Sequence, residues 1–357
     1  MLKTRAEELR VVKEMNYCFS EKVIPLIEVI NEKYKTTYKK DINGEYILEK
    51  RNTRMCRVKE IPKEEDIITL PYIDEMVNHK QVFIDYFRFS LSKYGRNVSF
   101  SKAELSVKLN NDLDLYKKKL LDLTQYNNMI PVISVKKDCE IPKSDLKVLL
   151  TQLQEKTTHI ALRITEEWVS QFKDIIQELR KEDYLLFDVE EQNPELKFME
   201  FQELVDLQAE CKIILLNSPR KLSVRNGEYP EHGQTDLINN CARVAAENNN
   251  FAGYGDYCGL KDAMPTNDGS NGTGAALALL YDYSQNVFYS YCNQDTSLGM
   301  AGYATLIPII KSDEAFLNPL KDCPGYAKIH ATPGTGSWST WHHINAARYI
   351  FQIYKNI

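Results

Sequence analysis

Several short apolar runs in this chain end in, or one residue short of, a side chain that can do chemistry. Glu28 lies near the end of 23–29 (VIPLIEV), Asp85 in 82–87 (VFIDYF), Arg163 in 159–164 (HIALRI), Asp188 in 184–189 (YLLFDV) and Asn217 in 212–218 (KIILLNS). A sixth run, 129–135 (MIPVISV), carries no charge. Two weaker runs, 1–4 and 251–256 (FAGYGD), add Lys3, with Arg5 just past it, and Asp256. Side chains on a strand alternate faces. Glu28 therefore shares a face with Leu26 and Ile24, Asp85 with Phe83, and Arg163 with Ala161. By the same rule Asp188 goes with Leu186 and Tyr184, Asn217 with Leu215 and Ile213, and Asp256 with Tyr254. Gathered on one rim, the carboxylates Glu28, Asp85, Asp188 and Asp256 can hold a divalent cation such as Mg²⁺ or act as general acid and base. Lys3, Arg5 and Arg163, with the amide of Asn217, can hold a phosphate or carboxylate. The same charges can instead pair with one another and only finish the end of a barrel, shifting one another's pKa values as they do so.

Elements that place polar residues this way are strands alternating with helices, and the rhythm predicts a (β/α)8 TIM-barrel-like fold, one domain over 1–357. Its active site would lie at the C-terminal strand ends. An open doubly wound sheet is the alternative and also puts these residues at strand C-termini. Residues 31–80 are too long for a simple link and read as an insertion. Asn43-Gly44 predicts a hairpin there, and 72–78 a returning helix. Helices are expected from Ser101 to about 123, with Glu104 in capping-box position, over 144–155, 197–209 and 233–248, and after Thr165 as N-cap. Trp168, Phe172, Ile175 and Leu179 form the apolar stripe of that last helix. After Asp256 the rhythm breaks into a Gly/Asn/Asp-rich loop, 259–275. A hairpin over 276–283 and 287–292 and a closing amphipathic helix over 341–354 complete the C-terminal elaboration.

Three further constellations lie outside the strand ends. The loop 217–236 holds Arg220, Lys221, Arg225, Glu231, His232 and Asp236, and with 257–274 it is expected to wall the mouth. Arg220 and His232 are its candidate ligand-binding residues. The run 251–274 has glycines that can cradle an anion through backbone N–H groups, but neither GxxxxGK[ST] nor GxGxxG is present. In 330–349 the adjacent His342 and His343 do not make an HExxH pair, and Ser337 has no GxSxG context. Trp338 and Trp341 there read as packing a loop onto a helix, with stacking on a base or ring the alternative.

Composition narrows the function classes. At 43% hydrophobic and 27% charged residues the chain has the make-up of a globular domain. A net charge of −5 gives no general nucleic-acid footprint. No run nears the roughly 20 apolar residues that span a bilayer, so no membrane partner is expected. The eight cysteines are scattered without a CxxC pair, which fits free thiols in a cytoplasmic setting.

Taken as a set, LKTRAEE at the start, PLIEV at 25–29, FDVE at 187–190, LLNSPRKL at 215–222 and NNFAGYGDYCGLKD at 249–262 resemble the Beta-protein family of bacteriophages and bacterial mobile elements. The resemblance covers residues 1 to about 354. It implies an accessory role linked to phage or host defence, with a phage or host protein as partner, and carries no reaction with it. Two functional classes follow from the rim. One is a metal-assisted hydrolase of phosphodiesterase type that uses the carboxylates. The other is a non-catalytic sensor or partner-binding module that uses the same rim to hold a small polar or anionic, phosphate-containing ligand. Mixed charge suits such a ligand better than a bare metal.

Overall fold

A computed structural model describes residues 1–357 except 52, 96, 268–273, 314–321 and 333. The strands are β1 (Leu2–Lys3), β2 (Leu26–Val29), β3 (Leu48–Arg51), β4 (Arg54–Arg57), β5 (Val82–Tyr86), β6 (Met129–Val135), β7 (Ala161–Ile164), β8 (Tyr184–Asp188) and β9 (Lys212–Leu216). They are followed by β10 (His232–Thr235), β11 (Gly253–Gly255), β12 (Ala276–Asp282) and β13 (Val287–Asn293). Eight of them form one sheet in the order β1-β2-β5-β6-β7-β8-β9-β11, and every pair is parallel. Strand order follows chain order, with no reversal of the kind a doubly wound sheet shows. Helices connect successive strands, and strands buried on both faces read as near-continuous apolar runs. All seven residues of β6 are buried.

The sheet curls until its two edges approach each other. Inside it, the rings of Phe83 on β5 and Tyr184 on β8 meet edge to face with centroids 4.9 Å apart. Among the described residues β1 and β11 share no ladder, so the fold is an open barrel with a seam rather than a closed one. The backbone nitrogen of Met1 bridges the seam to the carbonyl of Asp256. The long helix Trp338–Asn356, expected over 341–354, runs along it. Its Tyr349 hydroxyl donates to Asp256. Its buried His343 sits between Glu7, at 2.9 Å, and Glu14, at 2.7 Å, of the helix Ala6–Glu14.

The elaborations follow the sequence with adjustments. In the insertion the chain turns at Asn43-Gly44 with Gly44 at φ 84, but only a single bridge, Lys40 to Tyr46, brackets that turn. The true ladder, β3 with β4, comes later. The helix after it is Thr69–Met76. The long helix expected from Ser101 is broken at Asp112, whose carboxylate instead caps Leu113–Asp122 by accepting from Leu115 N at 2.8 Å. The stripe after Thr165 belongs to two short helices, Glu166–Val169 and Lys173–Gln177. Residues 233–248 are not one helix. The segment starts as β10, and the helix is Ala242–Asn248. β10 joins the expected β12–β13 hairpin in a three-stranded antiparallel sheet. Asn345, Arg348 and Gln352 of the closing helix hydrogen-bond to the backbone of that sheet. Trp341 stacks on Tyr303 with centroids 4.6 Å apart, so this tryptophan packs the core beneath the hairpin.

Candidate functional site: an ionic layer beneath the barrel mouth

Arg163 on β7 is the centre of the site. Its Nη1 donates to Glu28 Oε1 on β2 at 2.7 Å and to Asp85 Oδ2 on β5 at 2.8 Å. Its Nε and Nη2 donate to Asp188 Oδ2 on β8 at 2.9 and 2.6 Å. Lys3 on β1 pairs with Glu28 and, at 2.6 Å, with Asp262, and its ammonium lies 4.3 Å from the centre of the Phe87 ring. The strands deliver these side chains to one level because register aligns them: Lys3 is opposite Glu28, Glu28 opposite Asp85, and Ser134 opposite Arg163. Ser134 Oγ donates to Asp85 at 2.8 Å, and Tyr257 OH to Glu28 at 2.7 Å. Lys3, Glu28, Asp85, Arg163, Asp188 and Asp262 are each no more than 4% exposed.

Burial and pairing pull the titrations in opposite directions. For Glu28 burial alone would raise the pKa, but Lys3 and then Arg163 outweigh it and hold the carboxyl at about 2. Burial opposes ionisation of Asp188 and Asp262 too. Arg163 overcomes it for the first, Lys3 and Lys93 for the second, and both carboxyls end below their usual range. Such groups stay ionised at neutral pH and give up no proton there.

Three of the expected rim residues, Asn217, Asp256 and Arg5, and the two candidates of the loop 217–236, Arg220 and His232, are elsewhere. Leu216 and Ile214 pair with Asp188 and Leu186, so they, and not Asn217, share the inner face of β9. Asn217 is one residue out of phase. Its amide donates to the carbonyls of Glu190 and Gln192 at 2.7 and 3.0 Å. The same phase puts Gly253 and Gly255 inward on β11 and Tyr254 and Asp256 outward. Asp256 accepts from Tyr349 OH and from Cys258 N, and burial raises its pKa. Arg5 approaches Glu8 at 3.4 Å and lines a separate recess with Thr4, Asn31 and Lys33. Arg220 is buried against Tyr229 and donates to Gly259 O at 3.2 Å and Asn226 at 3.0 Å. His232 is exposed on β10, 3.4 Å from Asp313 and stacked on Tyr291.

Above the ionic layer lies a cavity of about 440 Å³, lined by segments that follow β5, β6, β7, β8 and β9. Phe87, Lys93, Lys136, Thr165, Glu190 and Leu222 are among its walls. The loop 217–236 reaches it through Leu222 and Ser223. The loop 257–274 contributes to the ionic layer below, through Tyr257 and Asp262, and its residues 268–273 lie outside the described set. Lys93 is taken up by Glu190 at 2.8 Å and Asp262 at 2.9 Å. Lys136 is not: its Nζ lies 4.3 Å from the centre of the Phe87 ring, with no hydrogen bond or ion pair to a described residue. Burial, then Arg163, lower its pKa against the pull of Asp85, Glu28 and Asp188. Thr165 stands at the N-cap position but does not cap. Its hydroxyl is buried without a partner among the described residues.

Lys136 was within reach of sequence reasoning. It stands two residues beyond Ser134, which the pairing with Arg163 turns inward, and strand alternation extends the same face to it. Tyr257 and Asp262 gave no such signal, since they sit in an irregular loop 254 and 259 residues from Lys3. Among the described residues no group of three His, Cys, Asp or Glu side chains has the arrangement of a metal site, and among them no helix is long and apolar enough to cross a membrane. No family model matches the chain, and no curated protein does.

Proposed function

We propose that the C-terminal mouth of the open barrel binds a small polar anion, a phosphate or carboxylate compound, without needing to transform it. The observation that carries this is Lys136. It is a cation facing a cavity at the strand ends, with no ion pair to a described residue and with surroundings that disfavour its charge. An anion placed beside it would restore that charge. The unpartnered hydroxyl of Thr165 supplies a second hydrogen bond, and the carboxylates of Glu190 and Glu191 on the opposite wall suit hydroxyl groups of the same ligand. Beneath the cavity, Glu28, Asp85 and Asp188 are all engaged by Arg163. They hold the floor rigid and are not free to bind a metal, which leaves the metal-assisted hydrolase with less support than the binder. Resemblance to the Beta-protein family makes phage or host-defence biology the setting we propose for such a binder.

Thermal unfolding with inorganic phosphate, glycerol 3-phosphate and glycerol tests the reading. A ligand at about 100 times its Kd adds roughly 2.7 kcal/mol to the native state. The two anions should raise the midpoint by several degrees and glycerol should not. Lys136→Met should abolish the rise while keeping the unliganded midpoint within about 0.5 kcal/mol of stability. If the variant responds to the anions as the parent does, or neither anion moves the parent, the proposal falls.

A further inference from the structure

The opposite end of the barrel is not filled. Below the ionic layer the strands turn Leu26, Phe83, Leu186, Ile214 and Leu216 inward, and β11 turns in only Gly253 and Gly255. Barrels of this class ordinarily pack that space with layers of side chains. Here the same residues line a chamber of about 640 Å³ at the N-terminal ends of the strands, bordered along the seam by Ile350 and Ile353 of the closing helix. Ligand pockets usually span roughly 300–1,000 Å³ and are mostly apolar with a few polar groups. Glu21, Lys22, Lys212 and Asp256 are the charged residues along this chamber's lining. Lys212, the exposed first residue of β9, rests 4.9 Å from the centre of the Tyr184 ring with no ion pair to a described residue.

We infer that this chamber takes an anionic amphiphile: an acyl chain among the apolar side chains, with its carboxylate or phosphate head at Lys212. A wholly polar ligand would gain nothing from the walls, and a wholly apolar one would leave the lysine without a counter-charge. The chamber lies on the far side of the ionic layer from Lys136, so the inference stands apart from the anion site at the mouth.

Calorimetric titration with dodecanoic acid and dodecanol tests it. The acid should bind about tenfold more tightly than the alcohol, the worth of one charge-assisted contact. Gly253→Phe puts a ring into the chamber. A Cβ there would meet only Ile214 Cδ1, at 3.4 Å, so the backbone need not move. A folded Gly253→Phe protein should bind neither compound. Lys212→Met, at an exposed site, should bind both about equally and thereby keeps the test alive if the phenylalanine variant fails to fold. No binding of the acid by the parent, undiminished binding by folded Gly253→Phe, or a tenfold preference that survives Lys212→Met would each overturn the inference. Flotation with phosphatidylcholine vesicles separates the sources. Protein carried up with the vesicles identifies bilayer lipid, and protein left behind identifies free fatty acid.

Discussion

Arg163→Met removes the charge that three carboxylates share and keeps an unbranched side chain in its place. In the parent, Glu28 titrates at about 2 against an ordinary 4.5. At about 1.36 kcal/mol per pH unit that gap is on the order of 3 kcal/mol of stability at neutral pH. Because the folded value is the lower one, this stability is complete above about pH 4.5 and is lost as the pH falls toward 2. Lys3 supplies the larger part and survives the substitution. Asp188, which takes Arg163's Nε and Nη2, and Asp85, whose Oδ1 already has no partner among the described residues, do not fare so well. Stranding a buried charge costs about 3–5 kcal/mol. In the variant the Asp188 carboxyl, buried and without Arg163, should titrate above its unfolded value, so its penalty is full at alkaline pH and is relieved as pH falls through the folded pKa. Urea unfolding of both proteins at pH 8 and pH 5 reads this directly from the midpoints. The variant should be less stable by about 3–5 kcal/mol at pH 8, with the deficit clearly narrower at pH 5. Asp188→Asn leaves Arg163 two of its three carboxylates and should lose less. An equal deficit at both pH values, or one below about 1 kcal/mol, would refute the claim that charge pairing holds this layer together.

Two other outcomes follow from the geometry. Asp256 has its pKa raised by burial, so its ionisation costs stability as pH rises; Asp256→Asn, which can still accept from Tyr349, should unfold at an equal or higher temperature than the parent at pH 8, with no such gain at pH 4. Of the eight cysteines only Cys56 and Cys241 are half-buried, and burial pushes the Cys241 thiol up to about 11, so Ellman's reagent should label one thiol quickly in the native protein, lost in Cys56→Ser, and the rest only on unfolding.

The sequence carried the strands well because parallel strands covered on both faces leave unbroken apolar runs. That same continuity hid their phase. In KIILLNS nothing alternates, so Asn217 could be set inward or outward with equal consistency, and only pairing of Ile214 with Leu186 decides it. Glu28, Asp85 and Asp188 were legible because each stands on a strand whose neighbours fix it, and Arg163 because its run is short and sharply bounded. Asp256 misled for the reason Asn217 did, one strand further on. Asp262 and Tyr257 were illegible, being brought to Lys3 by the closing of the whole sheet and not by any local period. Nor could the run of glycines in FAGYGD announce a chamber, since glycine in a strand also marks a bulge or a close backbone approach.

The seam between β1 and β11 has a bearing on how this protein keeps to itself. A closed barrel has no edges, whereas this one retains two, and an unpaired edge is a template for another chain. The edges are a strand of two residues and one of three. That is too short a row of free amides and carbonyls to seed a ladder, and Tyr349 of the closing helix reaches the seam at Asp256. The contact across the seam, Met1 to Asp256, joins residues 255 positions apart, so it forms late, and slowly by the measure of contact order. Until then the brevity of the two edge strands, not their burial, is what guards the growing sheet against association.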